Sequence, residues 1–482
     1  MSSLKKNFIY NFAYQILILI LPLVTTPYVS RVLGVNNVGI YSYTYSIVYY
    51  FMMISMLGVN NYGNRTIAKS RNNKKELSKN FWNIYYLQII MSILMIIIYL
   101  IYCLFIVKNN KLIAYIQIIY IFSAMFDINW FFFGIDKFKN TVIRSTILIL
   151  LSFILIFILV KSKNDLWLYT LILSVSTFFS QFLMHFFLKK EVEKYRFNFQ
   201  EVKEHFKPCV ILFVPVIAIS LYKIMDKIML GSMISTIEVG LYEQAEKIIN
   251  VPTSIITALG TVMLPRISNL VSKGDNQKIS VYIEKSIKFM MFLAYPMCLG
   301  LIAISSKFIP LYLGNGFEKS SIILNLLSIT LVFVSFANVI RKQYLVPKEK
   351  DKIFINSVFL GALINFVANL ILIKKYASYG AAIGTVLAEF VVMFYQAYKV
   401  RKELPIKKYI TETTTFLLKA IVMFIIVYLF NYFNINDILR LLIQIFIGGL
   451  MYSVLNTKYI LSIINIDKII KKITKQTNFK SS

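Results

Sequence analysis

This chain is a succession of apolar segments, each long enough to cross a bilayer, and the connections between them alternate between rich and poor in lysine and arginine. A helix needs about 17–25 apolar residues to span hydrocarbon, and such segments recur about fourteen times here. They cover residues 8–29, 39–57, 81–107, 112–133, 142–160, 166–188 and 209–230. The series continues over 248–264, 289–303, 322–340, 354–373, 380–398, 414–429 and 438–455. Of the 52 lysines and arginines, 37 fall at the N-terminus, in every second connection and in the C-terminal tail. The alternate connections hold 10, and 5 fall inside spans. Basic loops are retained in the cytoplasm when a chain is threaded into a membrane. The pattern therefore predicts an all-α polytopic membrane protein with an even number of spans and both termini cytoplasmic.

The composition agrees, with 58% hydrophobic residues. A net charge of +30 suggests nucleic acid at first sight. Here the charge is dispersed over short connections, so the anionic inner leaflet is its expected partner and nucleic acid is not. Cys103, Cys209 and Cys298 each lie in or beside an apolar span without paired spacing, which indicates neither a disulfide framework nor a metal site. The first span follows Lys5 and Lys6 and is too long for a signal-peptide core, so it reads as a retained helix. No connection is long enough to fold as a catalytic domain, and no GxxxxGK[ST] loop cradles a nucleotide. Any activity must reside among the helices. In the tail, Ile460, Leu461, Ile463, Ile464, Ile469 and Ile470 alternate with Lys468, Lys471, Lys472 and Lys475. This pattern fits an interfacial helix or a solvated basic tail equally.

An internal echo joins the first and seventh spans. Leu33-Gly34 is followed by Val38-Gly39-Ile40-Tyr41, and Leu230-Gly231 by Val239-Gly240-Leu241-Tyr242. Both copies fall between the first and second helix of a half. The expected organisation is a six-helix bundle over 1–202, a second over 203–404, two added helices over 405–455 and a basic tail over 456–482. Six helices per half keeps the copies in the same orientation, a parallel repeat around a central cavity that suits alternating access.

Ionisable groups inside spans are costly and mark functional positions by default. Asp127, Asp226 and Glu389 are the acids; Lys223 and Lys227 share one helix face with Asp226 nearby. A structural ion pair between Asp226 and one of these lysines is one reading and a functional carboxylate the other. Arg144, Lys419 and Arg440 lie near helix ends and read as snorkelling anchors. Asn365 and Asn369, one turn apart, read as packing contacts worth about 1 kcal/mol. His185 reads as an interfacial residue and His205 as a loop residue. Pro22, Pro27, Pro215, Pro252 and Pro296 are expected to kink or break spans.

Several stretches carry a family resemblance. Pro27-Tyr28-Val29-Ser30-Arg31-Val32-Leu33-Gly34 with Gly39-Ile40-Tyr41-Ser42 resembles the opening of Wzx-type polysaccharide flippases, as does Gly63-Asn64-Arg65 leading to Arg71. Asp127 to Gly134 is similar to that family's fourth helix. Asp226 to Gly231, with Gly240-Leu241-Tyr242 and Leu264-Pro265-Arg266, is similar to its seventh and eighth, and Tyr379 to Glu389 to its twelfth. The matches run in order from about residue 8 to 400. The resemblance implies the multidrug/oligosaccharidyl-lipid/polysaccharide (MOP) exporter superfamily, with a V-shaped pair of bundles in a bacterial plasma membrane. It implies a cargo of undecaprenyl-pyrophosphate-linked oligosaccharide, from capsule, O-antigen or teichoic-acid synthesis, with a polymerase and glycosyltransferases as partners. In related flippases the last two helices form a groove for the lipid tail.

Under that reading Arg31, Arg65, Arg266 and Arg341 would hold the pyrophosphate, because guanidinium forks suit its oxygens. Each also reads as a leaflet anchor. Lys223 would be the midpoint contact, and Asp127, Asp226 or Glu389 would carry a coupling proton or sodium ion, with no other cofactor. The rival readings are a cation-coupled small-molecule antiporter of the same superfamily and a membrane glycan polymerase or transferase. Against the enzyme, the outer connections are short and hold few acids: Asp165, Glu238, Glu243, Glu246, Glu318 and Asp437.

Overall fold

The computed structural model describes residues 2–463, and among these every regular element is helical. The elements are α1 (Ser2–Met56), α2 (Val59–Ser70), α3 (Lys74–Phe105), α4 (Lys111–Met125), α5 (Asn129–Gly134) and α6 (Phe138–Leu159). They continue with α7 (Leu166–Phe182), α8 (His185–Leu188), α9 (Phe199–Met233), α10 (Thr236–Ser272), α11 (Asn276–Leu313) and α12 (Ser320–Ser328). The last are α13 (Thr330–Ile340), α14 (Asp351–Tyr376), α15 (Ser378–Val400), α16 (Ile406–Leu429) and α17 (Asp437–Leu455). Eleven helical stretches among the described residues are individually long and apolar enough to cross a membrane. The first two expected spans lie on α1 and the eighth on α10, so each expected span has a helix. The tail from Ile464, including most of the alternating stretch, lies outside the described residues.

The helices wear their apolar side chains outside, as lipid-facing helices must. Ile93, Ile97 and Ile101 on α3 and Leu442, Ile445 and Phe446 on α17 are exposed, whereas Asn83, Gln88 and Gln444 are buried. The helix runs through Pro22 and Pro27; the break in α1 is at Gly34, whose φ of 75° and ψ of 170° leave the helical region. A left-handed φ is costly for a residue with Cβ, so the glycine decides where the first span ends and the second begins. Pro215 and Pro296 likewise lie inside α9 and α11.

The chain groups into two compact units. The first comprises Met1–Ile248, Leu313–Lys319 and Val358–Ala388; the second comprises Ile249–Tyr312, Ser320–Ser357 and Glu389–Ser482. Grouping by contact differs from division by repeat: α9, the start of α10 and most of α14 pack with the N-terminal helices. A repeat reflects chain symmetry, whereas compactness reflects which side chains meet.

Two of the family-like stretches form the aromatic core of the first unit. Trp130, Phe131 and Phe132 on α5 are fully buried with Phe81 of α3. Trp130 lies over Gly63 of α2 so closely that a Cβ there would be 2.4 Å from the indole. The indole N–H donates to Gln88 Oε1 at 3.0 Å. Gln88 in turn donates from Nε2 to the carbonyls of Ala124 (2.7 Å) and Asp127 (2.9 Å), bridging the break between α4 and α5.

In the second unit, α16 and α17 form an antiparallel pair whose turn is held by Arg440. This residue is 5% exposed; it reaches the Asp437 carboxylate and donates to the carbonyls of Phe433 (2.7 Å) and Ile435 (3.0 Å). Arg144 is buried too, donating to Asn129 Oδ1 at 3.2 Å. Both depart from the snorkelling expectation, because unpaired carbonyls and amides at helix junctions offer a guanidinium more than the interface does. Lys419 donates to Asn456 Oδ1 at 3.2 Å. His205 lies in α9 rather than a loop and contacts the Tyr62 hydroxyl at 2.8 Å; His185 contacts that of Tyr85 at 2.9 Å.

Candidate functional site

A buried carboxylate organises the first unit. Asp226, on α9, is 1% exposed and is met by side chains from three other helices. Tyr242 of α10 donates to Oδ2 at 2.7 Å, Thr385 of α15 to the same oxygen at 2.6 Å, and Asn369 of α14 to Oδ1 at 2.6 Å. Asn369 also donates to Asn365 Oδ1 at 3.3 Å, so Asn369 binds the acid directly and Asn365 stands behind it, more than packing contacts alone. Among the described residues neither Lys223 nor Lys227 of α9 pairs with Asp226. Lys227 turns to Glu243 (3.0 Å) and Glu246 (2.9 Å) of α10, and Lys247 joins Glu243 at 3.4 Å. Ser42 of α1 donates to Glu243 at 2.8 Å, tying the second span into the same network. The ion-pair reading of Asp226 is thereby replaced: hydroxyls and amides solvate it, and the lysine is claimed by two closer acids. Carboxylate, hydroxyl and amide oxygens are hard donors, suited to a proton or an alkali cation rather than a soft transition metal.

The other residues that the sequence singles out belong to both units. Asp127 accepts from the Asn129 backbone N–H at 3.0 Å and lines a cavity of about 230 Å³ with Asn60, Asn61 and Gln181. Glu389 is half-buried near the middle of α15, in the stretch belonging to the second unit. Lys223 is exposed on α9. Arg31 packs along Gly314, where a Cβ would be 2.9 Å from its side chain. Arg65 lines a basic cavity of about 630 Å³ at the other end of the second span. The intervening helix is roughly 33 Å long at 1.5 Å per residue, so one pyrophosphate does not reach both. In the second unit, Arg266 stacks on Tyr282 at 4.6 Å and donates to its hydroxyl at 2.5 Å. Arg341 opens a π-turn and lies 5.4 Å from the Phe354 ring.

Sequence reasoning missed Tyr242 and Thr385 as partners of Asp226, and Glu243 and Glu246 as partners of Lys227. Tyr242 closes the echo motif, and Glu243, Glu246 and Lys247 have helical spacing; both signals were present. They were obscured because residues 231–247 read as a connection, whereas α10 begins at Thr236.

In the first turn of α10, Glu238 accepts from Lys319 (2.5 Å), from the Ser378 backbone N–H (3.2 Å) and from the Ser378 hydroxyl. Burial pushes its carboxyl upward, but the ammonium and the Ser378 donors outweigh this and hold it below the ordinary glutamate value.

The second unit holds an apolar cavity of about 480 Å³ between α10, α11, α16 and α17, lined by Pro252, Pro296, Met423, Ile445, Gly448 and Tyr452 among others.

Residues 4–271 match the polysaccharide biosynthesis protein family. The chain belongs to that family. Residues 212–371, which contain Asp226, Asn365 and Asn369, also match the MatE family, and the chain is a member of the MOP exporter superfamily. A protein of Shigella dysenteriae named as an O-antigen transporter is 22% identical over 83% of this chain and 100% of its own length. Its counterpart in Escherichia coli K12 is 25% identical over 81% and 95%. The fold is that of a solved lipid II flippase MurJ in an inward closed conformation: TM-score 0.76, 19% identity, covering 95% of this chain and 99% of that one. An inward-facing MATE multidrug transporter has a TM-score of 0.59 at 12% identity, covering 80% and 96%.

Proposed function

We propose that this protein is a flippase that carries an undecaprenyl-pyrophosphate-linked oligosaccharide from the inner to the outer leaflet of a bacterial plasma membrane by alternating access. Both termini are cytoplasmic in this reading, and the protein transports rather than catalyses. The observation that carries it is the match over the whole length of a named O-antigen transporter. Physical chemistry agrees with the task. A glycan with an anionic pyrophosphate cannot cross about 30 Å of hydrocarbon without losing its hydration, and helices lined by cations and hydroxyls replace that hydration.

Arg31 and Arg65 lie too far apart for one pyrophosphate to reach both, so Arg31, Arg65, Lys223, Arg266 and Arg341 meet it in succession rather than together. Asp226 carries the coupling proton or sodium ion, with Asn365, Asn369 and Thr385 supplying neutral oxygens. Asp127 and Glu389 are secondary positions for the same role. The apolar cavity of the second unit holds the isoprenoid tail. The polymerase and glycosyltransferases acting on the same lipid-linked sugar are its partners.

The test is reconstitution into liposomes with a fluorescent undecaprenyl-pyrophosphate oligosaccharide, scored by access of an external glycosidase. Protein-dependent exposure supports the flippase. The MatE match over residues 212–371 favours a second reading, the cation-coupled antiporter. It is accepted if no glycan is exposed and small organic cations leave the liposomes along an ion gradient.

A further inference from the structure

On the basic face of the first unit, four cations are matched to acids. Arg71 pairs with Asp136 at 2.7 Å, Lys74 with Glu193 at 3.5 Å, Lys79 with Glu201 at 2.9 Å, and Lys137 with Glu191. Arg65, Lys69 and Lys207 differ. All three are exposed, and no ion pair engages them among the described residues. They come from two helices, α2 and α9, and line a single cavity of about 630 Å³ in which Glu76 is the lone acid. Three like charges gathered with a single acid repel one another, so this group, beside cations that are neutralised, calls for an external anion.

The cavity is built rather than incidental. Its two helices are fastened beside the cations by the 2.8 Å contact between Tyr62 and His205. Gly58, at the start of α2, lets α9 approach so closely that a Cβ would be 2.6 Å from the Cys209 carbonyl oxygen. One turn along α9 from Lys207 the lining becomes apolar, with Ile211 and Leu212. Ile211 is 59% exposed, on a flank of α9 that also exposes Val214. Exposed aliphatic side chains on a spanning helix face lipid. The site therefore combines cations with an opening onto hydrocarbon, at the face that the charge bias reads as cytoplasmic.

We propose that this cavity binds the phosphate group of an inner-leaflet lipid. Arg65, Lys69 and Lys207 take the phosphate oxygens, and Ile211 and Leu212 flank the first part of the acyl or isoprenoid chain. Basic pockets between helices on this side of a membrane have the chemistry for such headgroups. Two lipids carry it, a resident anionic phospholipid and an isoprenoid pyrophosphate. The proposal concerns binding and stands whether or not the chain flips a glycan.

The test uses the full chain, purified and delipidated, with cardiolipin, sugar-free undecaprenyl pyrophosphate and inorganic pyrophosphate as separate probes. Retention is read by native mass spectrometry, and binding by the rise in melting temperature. One or both lipids should bind the wild type, and Arg65→Gln/Lys69→Gln/Lys207→Gln should weaken that binding by roughly tenfold or more. Arg71→Gln/Lys74→Gln, which removes paired cations outside the cavity, should leave it unchanged. Loss of cardiolipin names a phospholipid as the occupant; loss of undecaprenyl pyrophosphate alone names the isoprenoid, and either upholds the proposal. Equal lipid retention by the triple variant and the wild type overturns it, as does inorganic pyrophosphate binding as tightly as the lipids. Should the triple variant fail to fold, Lys207→Glu alone decides by the same readout.

Discussion

Gly39 and Gly240 hold α1 and α10 in backbone contact. A Cβ on Gly39 would lie 1.7 Å from the Thr236 carbonyl oxygen, and one on Gly240 would lie 2.2 Å from that of Val35. The two glycines occupy the same position in the internal echo, so the copies of the motif cross on each other. Thr236 Oγ1 donating to Asn36 Oδ1 at 2.6 Å stitches one side of the crossing, and Ser42 with Glu243 the other.

Gly240→Ala should therefore force the helices apart. Overpacking of this kind costs about 1–3 kcal/mol, seen as a lower melting temperature in detergent. Gly449→Ala, where a Cβ meets nothing within 4 Å, should leave the melting temperature unchanged. Equal melting of the two variants would show that the crossing is lax.

Asp226→Ala should destabilise the first unit, because Tyr242, Thr385 and Asn369 each lose a buried partner, at about 1–3 kcal/mol for an unsatisfied group. Asp226→Asn keeps the shape and removes the charge. It should melt close to wild type while glycan exposure in liposomes loses its dependence on the ion gradient. Retained gradient dependence would exclude Asp226 as the coupling group.

Trp130→Ala should be among the most damaging core changes, at about 3–5 kcal/mol, since it empties the space above Gly63 and frees Gln88. Trp130→Phe keeps most of the ring and loses the hydrogen bond, for about 1 kcal/mol. Chemical denaturation in detergent separates the two values.

Gly448→Leu should fill the apolar cavity between α11, α16 and α17, where a Cβ already approaches Val427 to 3.0 Å. If that cavity holds an isoprenoid tail, exposure of an undecaprenyl-linked glycan should fall several-fold. A short-chain analogue should be moved as before. Equal loss for both chain lengths would argue for a packing defect instead.

Glu238 sets a pH dependence. Its carboxyl is held below the ordinary glutamate value in the folded chain, so the stabilisation from Lys319 and Ser378 is fully present above the unfolded value. It is lost as the pH falls through the folded one. The melting temperature should drop on acidification below the normal carboxylate range, and Glu238→Gln should flatten that part of the profile. A profile unchanged by the substitution would assign the acid sensitivity to other carboxylates.

The spans were legible because hydrophobic length is a local property: about twenty apolar residues fold as a helix in lipid whatever surrounds them. The glycines at 39 and 240, the aromatic run at 130–133 and the acid at 226 were legible as well, since each is an unusual residue type for its setting. The partners were not. Nothing local distinguishes Tyr242 from the chain's other tyrosines, or says that Lys227 will choose Glu243 over Asp226 one residue away on its own helix.

By itself, then, the sequence determined a helical membrane protein, its spans and which ionisable groups lie within them, because burial of apolar length and the expense of charge in hydrocarbon act residue by residue. Only the tertiary structure decided that Asp226 is held by hydroxyls and amides, that Arg144 and Arg440 turn inward, and that Arg65, Lys69 and Lys207 share a cavity with a single acid. Those outcomes depend on distances between helices far apart in the chain, and a hydrogen bond or ion pair loses its strength within a few ångströms of displacement.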